Sequence, residues 1–452
     1  MNLMKKHKDR HDISYLFCLV TIFILDNALL GGGKLLAYRG FSLRNLIALV
    51  LFVVQIPIVI KNRDLLRSNI FICWLITFLI VFTVGAIRGL LSGNSVQLIA
   101  YDVRMYAYIT LLPIFMLVVN NKSRISIIFK SIFIISTLLS CFSLILQIIF
   151  VYFPEFASHI YNWNNVSMLG IITPGNKNVY RIFMKSMPYS YFAINYGIYH
   201  MLHEKRKRKA LGYGFVVSIN VAAIFLSFTR SIYLGMIFTV FLYLSSFYKV
   251  IIQKKLFLRV FTIVATSILI IMLLAVINNA NYFEYAFTRI SITNISLPEH
   301  QENVDTAPLP SDIFEDEIPM NDTVLSDSIR AVSISELVQG IKSKPTFGYG
   351  LGYRTESRIH QEFAYLDLTV KLGVIGCVLY ILPLISMGMK LITNKTKQCN
   401  DCLELYTALA GTAVTHFFNP YLSNSIGISM YILMIAVYKY FDIMRSRVDR
   451  VH

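Results

Sequence analysis

Apolar residues in this chain do not alternate with polar ones; they come in long runs broken by short polar connectors. A helix needs about 20 predominantly apolar residues to cross a bilayer. Runs of that scale lie at roughly 14–30, 44–60, 70–88, 103–119, 126–152, 188–203, 210–228, 231–248, 258–277, 364–388, 403–418 and 424–441. The pattern predicts an all-α polytopic membrane protein of about 12 transmembrane helices. Two polar stretches are too long to be plain connectors, a medium loop at 154–187 and a large one at 278–360, between the ninth and tenth spans. The chain divides accordingly into nine spans over 1–277, the large loop over 278–360, and the last three spans with a tail over 361–452.

Composition agrees with that reading. Of 452 residues, 56% are hydrophobic and 15% charged, with a mean hydropathy of +0.60; a soluble domain carries about 25% charge. The net charge of +17 would suit nucleic acid if it formed one surface, but it sits in the connectors. These are the N-terminal Lys cluster, Lys61 to Arg67, Lys122 with Arg124, Lys205 to Lys209, Lys254-Lys255, Lys390 to Lys397 and Arg445 to Arg450. With twelve spans they all fall on one side, which the positive-inside rule makes cytoplasmic, together with both termini. Nucleic acid is thereby excluded as a partner. The Lys-rich start leads into an apolar run without a small-residue cleavage pattern, so no cleavable signal peptide is expected. Cys18, Cys73, Cys141 and Cys377 read as small core hydrophobes, and the lone Cys399-x-x-Cys402 pair does not suggest a metal site.

The opposite side receives 154–187, the turn around Arg230, the large loop, and the connector from His416 to Ser423. The large loop is rich in Asp and Glu and poor in Lys and Arg. Within it, 293–327 reads as mobile, with Pro298, Pro308, Pro310 and Pro319 and little apolar periodicity. From Ser328 to Ile341 the apolar residues recur at helical spacing, which predicts a short amphipathic helix at the membrane surface.

Candidate chemistry gathers on that side. Arg230, in Ser227-Phe228-Thr229-Arg230, stands at a helix boundary among hydroxyls such as that of Thr229, where a guanidinium can grip phosphate oxygens bidentately or simply reach water. Arg181 and Arg330 are further arginines on the same side, and three together suit a pyrophosphate better than one. Lys177, Lys185 and Lys344 offer the same charge to a substrate or to anionic lipid. Gly348-x-Gly350-x-Gly352 does not follow a strand, which rules out a dinucleotide fingerprint; the glycines permit a tight turn back to the membrane. His360 and Glu362 open the tenth span, where either is a candidate base or part of a polar helix start, and on a helix His360 shares a face with Asp367. Asp367 and Lys371, four apart, are expected to pair within the membrane. His416 and Asn419 are secondary candidates, and Asp26, Asp102 and Arg104 have no assigned role.

These motifs together resemble the O-antigen ligase/polymerase superfamily. Ser227-Phe228-Thr229-Arg230 is similar to its Thr-x-Ser-Arg turn, and Arg330 to the arginine of its large loop. Pro345-Thr346-Phe347-Gly348-Tyr349-Gly350 is similar to its Pro-x-x-Gly-x-Gly element, and Leu372-Gly373-Val374-Ile375-Gly376 to its Leu-Gly-x-x-Gly. The resemblance covers the seventh to tenth spans with the loop. It implies a glycosyltransferase of the bacterial cytoplasmic (inner) membrane, acting on undecaprenyl-pyrophosphate-linked oligosaccharide and needing no cofactor, neither nucleotide sugar nor metal. Arg230, Arg181 and Arg330 would hold the pyrophosphate, and a base would deprotonate an acceptor hydroxyl that attacks the anomeric carbon with inversion. Chain-length regulator and flippase proteins are the implied partners. Where ligase members place a His before the Leu-Gly, this chain has Glu362, with His360 two residues earlier. That departure favours a polymerase of repeat units over a ligase that passes glycan to a lipid core or protein. A lipid-linked oligosaccharide flippase is the alternative from another class, against which the absence of visible repeats counts.

Overall fold

Each predicted apolar run is helical, because backbone in lipid has no water to bond and the α-helix pairs its groups internally. The computed structural model describes residues 2–31, 37–38, 41–62, 69–175, 178–246, 256–290, 321–355, 362–393 and 400–448. In chain order the first helices are α1 (Asn2–Leu30), α2 (Leu43–Lys61), α3 (Ile70–Leu91), α4 (Val96–Ala107), α5 (Leu112–Val118) and α6 (Lys122–Tyr152), with a 3-10 turn joining α4 to α5. Then come α7 (Pro154–Ser167), α8 (Pro188–His203), α9 (Lys207–Phe225), α10 (Arg230–Ser246) and α11 (Leu256–Asn278). The last are α12 (Tyr282–Ile290), α13 (Asn321–Ser343), α14 (Ala364–Thr393), α15 (Asn400–Thr415) and α16 (Ser425–Val448). Two small antiparallel hairpins complete it, β1 (Ala37–Tyr38) with β2 (Phe41–Ser42), and β3 (Gly170–Pro174) with β4 (Tyr180–Met184). Among the described residues, eight helical stretches are long and apolar enough to cross a membrane, which makes this a multi-pass membrane protein. The other four expected spans are shorter helices: Ser14–Leu30 and Arg230–Ser246, and α8 and α15 at 16 residues each.

Burial sorts the helices into centre and periphery. In α8 every side chain from Pro188 to Ile198 is buried, and in α16 every one from Ser425 to Tyr438. Helices apolar all round belong inside other helices. Peripheral α2, α3 and α11 expose Val53, Ile80 and Leu269 on their outward sides, as a lipid-facing surface requires. Since lipid removes most of the hydrophobic drive between helices, close packing and polar bonds bring them together. Ser140 donates to Asn220 at 2.9 Å between α6 and α9, and Asn195 to Thr407 at 2.7 Å between α8 and α15. Between α10 and α15, a Cβ on either Gly235 or Gly411 would collide with the facing helix, so the two axes approach closely there.

The arrangement of α14 depends on two breaks. At Gly373 the backbone leaves the helical region, with φ 72° and ψ 179°. The loop 344–352 fills that break: Tyr349 and Gly350 donate their N–H groups to the carbonyls of Val370 and Lys371 at 2.8 and 2.9 Å, and Val374 donates to Pro345 at 2.8 Å. A Cβ at Gly373 would strike the Thr346 carbonyl. The second break is Pro383, which has no N–H for the carbonyl four residues earlier. That carbonyl, Leu379 O, instead accepts the indole N–H of Trp74 at 2.6 Å. The glycine triplet does bring the loop back into the helices: Leu351 donates to Gly85 O on α3 at 2.9 Å, and Arg88 donates to Gly348 O at 2.8 Å.

Several expectations need correction. The stretch 154–187 is not loop but α7 and the β3–β4 hairpin. Part of the segment read as mobile is helical, since α13 begins at Asn321, while 293–320 lies outside the described residues. Cys18 and Cys73 are exposed on peripheral helices rather than in the core. Because α14 begins at Ala364, Glu362 precedes the helix; His360, expected to share a face with Asp367, lies outside the described residues. Asp102, assigned no role, is buried inside α4 and pairs with Arg354 at 2.8 Å and Lys371 at 3.2 Å. Lys371 also pairs with Asp367 at 2.6 Å, as the four-residue spacing predicts.

Candidate functional site

The β3–β4 hairpin supplies the first residue. In its register Thr173 faces Arg181, and the flanking Ile172 and Ile182 are buried. Arg181 thereby reaches the turn between α9 and α10, where its Nη2 donates to Thr229 Oγ1 at 3.3 Å. That turn is built by Phe228, whose φ of 47° is in the left-handed region, unusual for a residue with a large side chain. The Phe228 ring is buried against Tyr285 of α12, with centroids 4.7 Å apart and edge to face. The reversal lets Thr229 accept the first N–H bonds of α10, from Ile232 and Tyr233, and leaves Arg230 exposed at the helix start. Arg230 Nε donates to the carbonyl of Arg289 in the last turn of α12.

Arg181 is the electrostatic centre. Burial, and then the nearby positive charges of Arg289 and Arg330, push its guanidinium down from the usual arginine range to about 10. It therefore stays charged at neutral pH, in a place that disfavours charge. Its Nε is buried and has no acceptor among the described residues. A guanidinium has five donors in a planar fork, and an orphaned buried one is costly unless an anion completes it. Arg330, on α13, meets Glu362 through its Nε at 2.7 Å, with both side chains partly open to solvent.

The neighbouring rim comes from α15. Asn419 donates to Ser231 Oγ at 2.6 Å and so ties the connector after α15 to the first turn of α10. Three residues earlier, His416 is fully buried, and its ring stands edge to face with Tyr365 of α14 at 4.6 Å. The N–H of Leu422 donates to Nδ1 at 3.1 Å. Nδ1 also lies 3.3 Å from the Asn419 carbonyl, a bond that the other tautomer makes, and the buried Nε2 has no partner among the described residues.

The structure thus brings Arg181, Thr229, Arg230, Arg330 and Glu362 to one end of the bundle, with His416 beside them. Lys344 is not among them. It covers the Tyr349 ring at 4.2 Å, at the far end of α13 from Arg330 and so about 20 Å away along that helix. Lys185 lies beside Gly31, and Lys177 is outside the described residues. Sequence reasoning missed Arg289. The available signal was the amphipathic run Tyr282–Ile290 directly after a span, which is a surface helix whose terminal arginine returns over the preceding turn. No curated protein matches the chain. The α9–α10 turn, α12, α13, the glycine loop and the start of α14 all fall within residues 215–381, which match the family model Wzy_C, described as O-antigen ligase.

Proposed function

We propose that the protein is a glycosyltransferase that takes undecaprenyl-pyrophosphate-linked oligosaccharide as donor and joins repeat units into a surface polysaccharide, on the outer side of the cytoplasmic membrane. The observation that carries this reading is Arg181, a buried guanidinium with an orphaned Nε beside two further arginines. A pyrophosphate presents several charged oxygens in the space of one such cluster, and each charge-assisted bond to arginine is short and strong. In this reading Arg181, Arg330 and Arg289 hold the pyrophosphate, and Arg230 closes the site through α12. As the anomeric C–O bond breaks, negative charge grows on the departing phosphate oxygen, and guanidiniums already in place stabilise it without reorganisation. The acceptor hydroxyl attacks the anomeric carbon from the opposite face and gives its proton to Glu362 or His360.

Glycan transfer to a lipid core or protein, as in a ligase, uses the same donor site. The family match supports it equally, while Glu362 at the position where ligases carry His favours polymerisation. The deciding experiment uses purified protein in detergent with a synthetic undecaprenyl-pyrophosphate repeat unit, wild type beside Arg181→Ala and Arg230→Ala. A ladder of longer lipid-linked chains that both variants lose is the expected result. Transfer that requires an added lipid-core or protein acceptor would make it a ligase. No transfer with any acceptor, but movement of the lipid-linked donor across vesicles, would replace the enzyme reading with a flippase.

A further inference from the structure

Asp102 collects the ends of three elements. Its Oδ2 accepts the Gly352 N–H at 2.8 Å and Arg354 Nη1 at 3.1 Å, and its Oδ1 accepts Arg354 Nη2 at 2.8 Å and Lys371 Nζ at 3.2 Å. Lys371 continues to Asp367 at 2.6 Å. Two carboxylates and two cations make a neutral, buried network that joins α4, the end of the glycine loop and the first turns of α14. The loop does not need this network for its own path. Tyr349, Gly350 and Leu351 already donate to backbone carbonyls of α14 and α3, and Arg88 already binds Gly348 O. Burying four charges is an expensive way to hold a loop, and ion pairs of this kind rarely add net stability over apolar packing.

What the network adds lies further along the chain. Asp367 and Lys371 stand in the first two turns of α14, which follow directly on Glu362, so the carboxylate that holds Lys371 anchors the start of the helix beside the residue that meets Arg330. We propose that Asp102 is a positioning residue, which through Lys371 and the first turns of α14 sets the place of Glu362 relative to the arginine site. The inference rests on the glycosyl-transfer reading for its kinetic consequence, though not for its structural one. Asp102 touches no substrate. It acts on the acceptor side of the site, because Arg181, Thr229 and Arg230 are carried by β4 and the α9–α10 turn, which it does not contact.

The test compares wild type with Asp102→Asn and Asp102→Glu in purified full-length protein, by hydrogen exchange and by steady-state transfer from the lipid-linked donor. Asp102→Asn is expected to speed exchange within 349–355 while the peptides of β3–β4 and α9–α10 keep their rates. Misplacement on the 1 Å scale costs up to about 100-fold in rate, so kcat is expected to fall about 10–100-fold with donor KM within about twofold. Asp102→Glu, which keeps the charge, recovers part of kcat. Unchanged exchange, unchanged kcat, or a loss confined to donor KM would overturn the proposal. Should Asp102→Asn not fold, the charge-balanced double variant Asp102→Asn with Lys371→Met takes its place, and wild-type turnover in that protein would equally overturn it. If the wild type itself transfers no glycan, the functional reading fails, while the exchange comparison still decides whether Asp102 holds the end of the glycine loop against α14.

Discussion

Replacing Arg181 by methionine is expected to make the protein more stable. A tenfold change in acidity corresponds to about 1.4 kcal/mol, so the fall of Arg181 from the usual arginine range to about 10 represents a cost of about 3 kcal/mol for keeping it charged. The sign follows from proton binding. Between pH about 10 and the usual arginine range the unfolded chain holds a proton that the folded one has lost, so stability rises with pH across that window, and at neutral pH the cost is present in full. Methionine keeps the length and apolar stem of the side chain but removes the charge and the orphaned Nε. It also forfeits the bond to Thr229, worth about 1 kcal/mol, which leaves a net gain of about 1–2 kcal/mol.

The assay is unfolding of the detergent-solubilised protein by titration with a denaturing detergent, with and without inorganic pyrophosphate. Without pyrophosphate, Arg181→Met is expected to unfold at a higher denaturant concentration than wild type. A ligand at 100 times its Kd stabilises by about 2.7 kcal/mol, so saturating pyrophosphate should raise the wild type by a comparable amount and leave the variant unmoved. A variant less stable than wild type in the absence of ligand would refute the reasoning, because Arg181 would then be a structural residue satisfied within the fold. Equal response of the two proteins to pyrophosphate would place the anion elsewhere.

Three other outcomes follow from the geometry. Gly373→Ala should sharply lower the yield of folded protein, since a Cβ there meets the Thr346 carbonyl and the backbone is left-handed; Gly212→Ala, with open space around it, is the matched control. Trp74→Phe should cost about 1–2 kcal/mol by orphaning Leu379 O, and Pro383→Ala in the same chain should recover much of it by restoring the N–H of residue 383, as a double-mutant cycle in denaturant would show. In transfer assays, Arg330→Gln and Glu362→Gln should each reduce kcat/KM, and the double variant should lose less than the product of the two, because the 2.7 Å pair acts as a unit.

How much of this was legible in the chain depends on the range of each interaction. The spans were readable because lipid allows backbone little but helix, and it demands contiguous apolar residues. Arg181, Arg230 and Arg330 stood out as arginines in polar sequence, and Asp367 with Lys371 showed as a four-residue spacing. Arg289 and Asp102 did not, because their meaning lies in partners far along the chain: Asp102 meets Gly352 across 250 positions. The glycine triplet and the Leu372-Gly373-x-x-Gly376 run likewise read as two motifs, yet they are two halves of one joint in which loop amides occupy the carbonyls that a broken helix releases. A physical rule was nonetheless available for Asp102. A carboxylate inside an apolar run is too costly to stand alone, so it calls for a cation at similar depth. Lys371 was such a cation, but its neighbour Asp367 already neutralised it, and simple pairing therefore left Asp102 without a partner. The count closes only when Arg354 is drawn in from the loop. An intramembrane acid without a matching base in the spans therefore points to a loop that re-enters the protein, and here that loop precedes the proposed site.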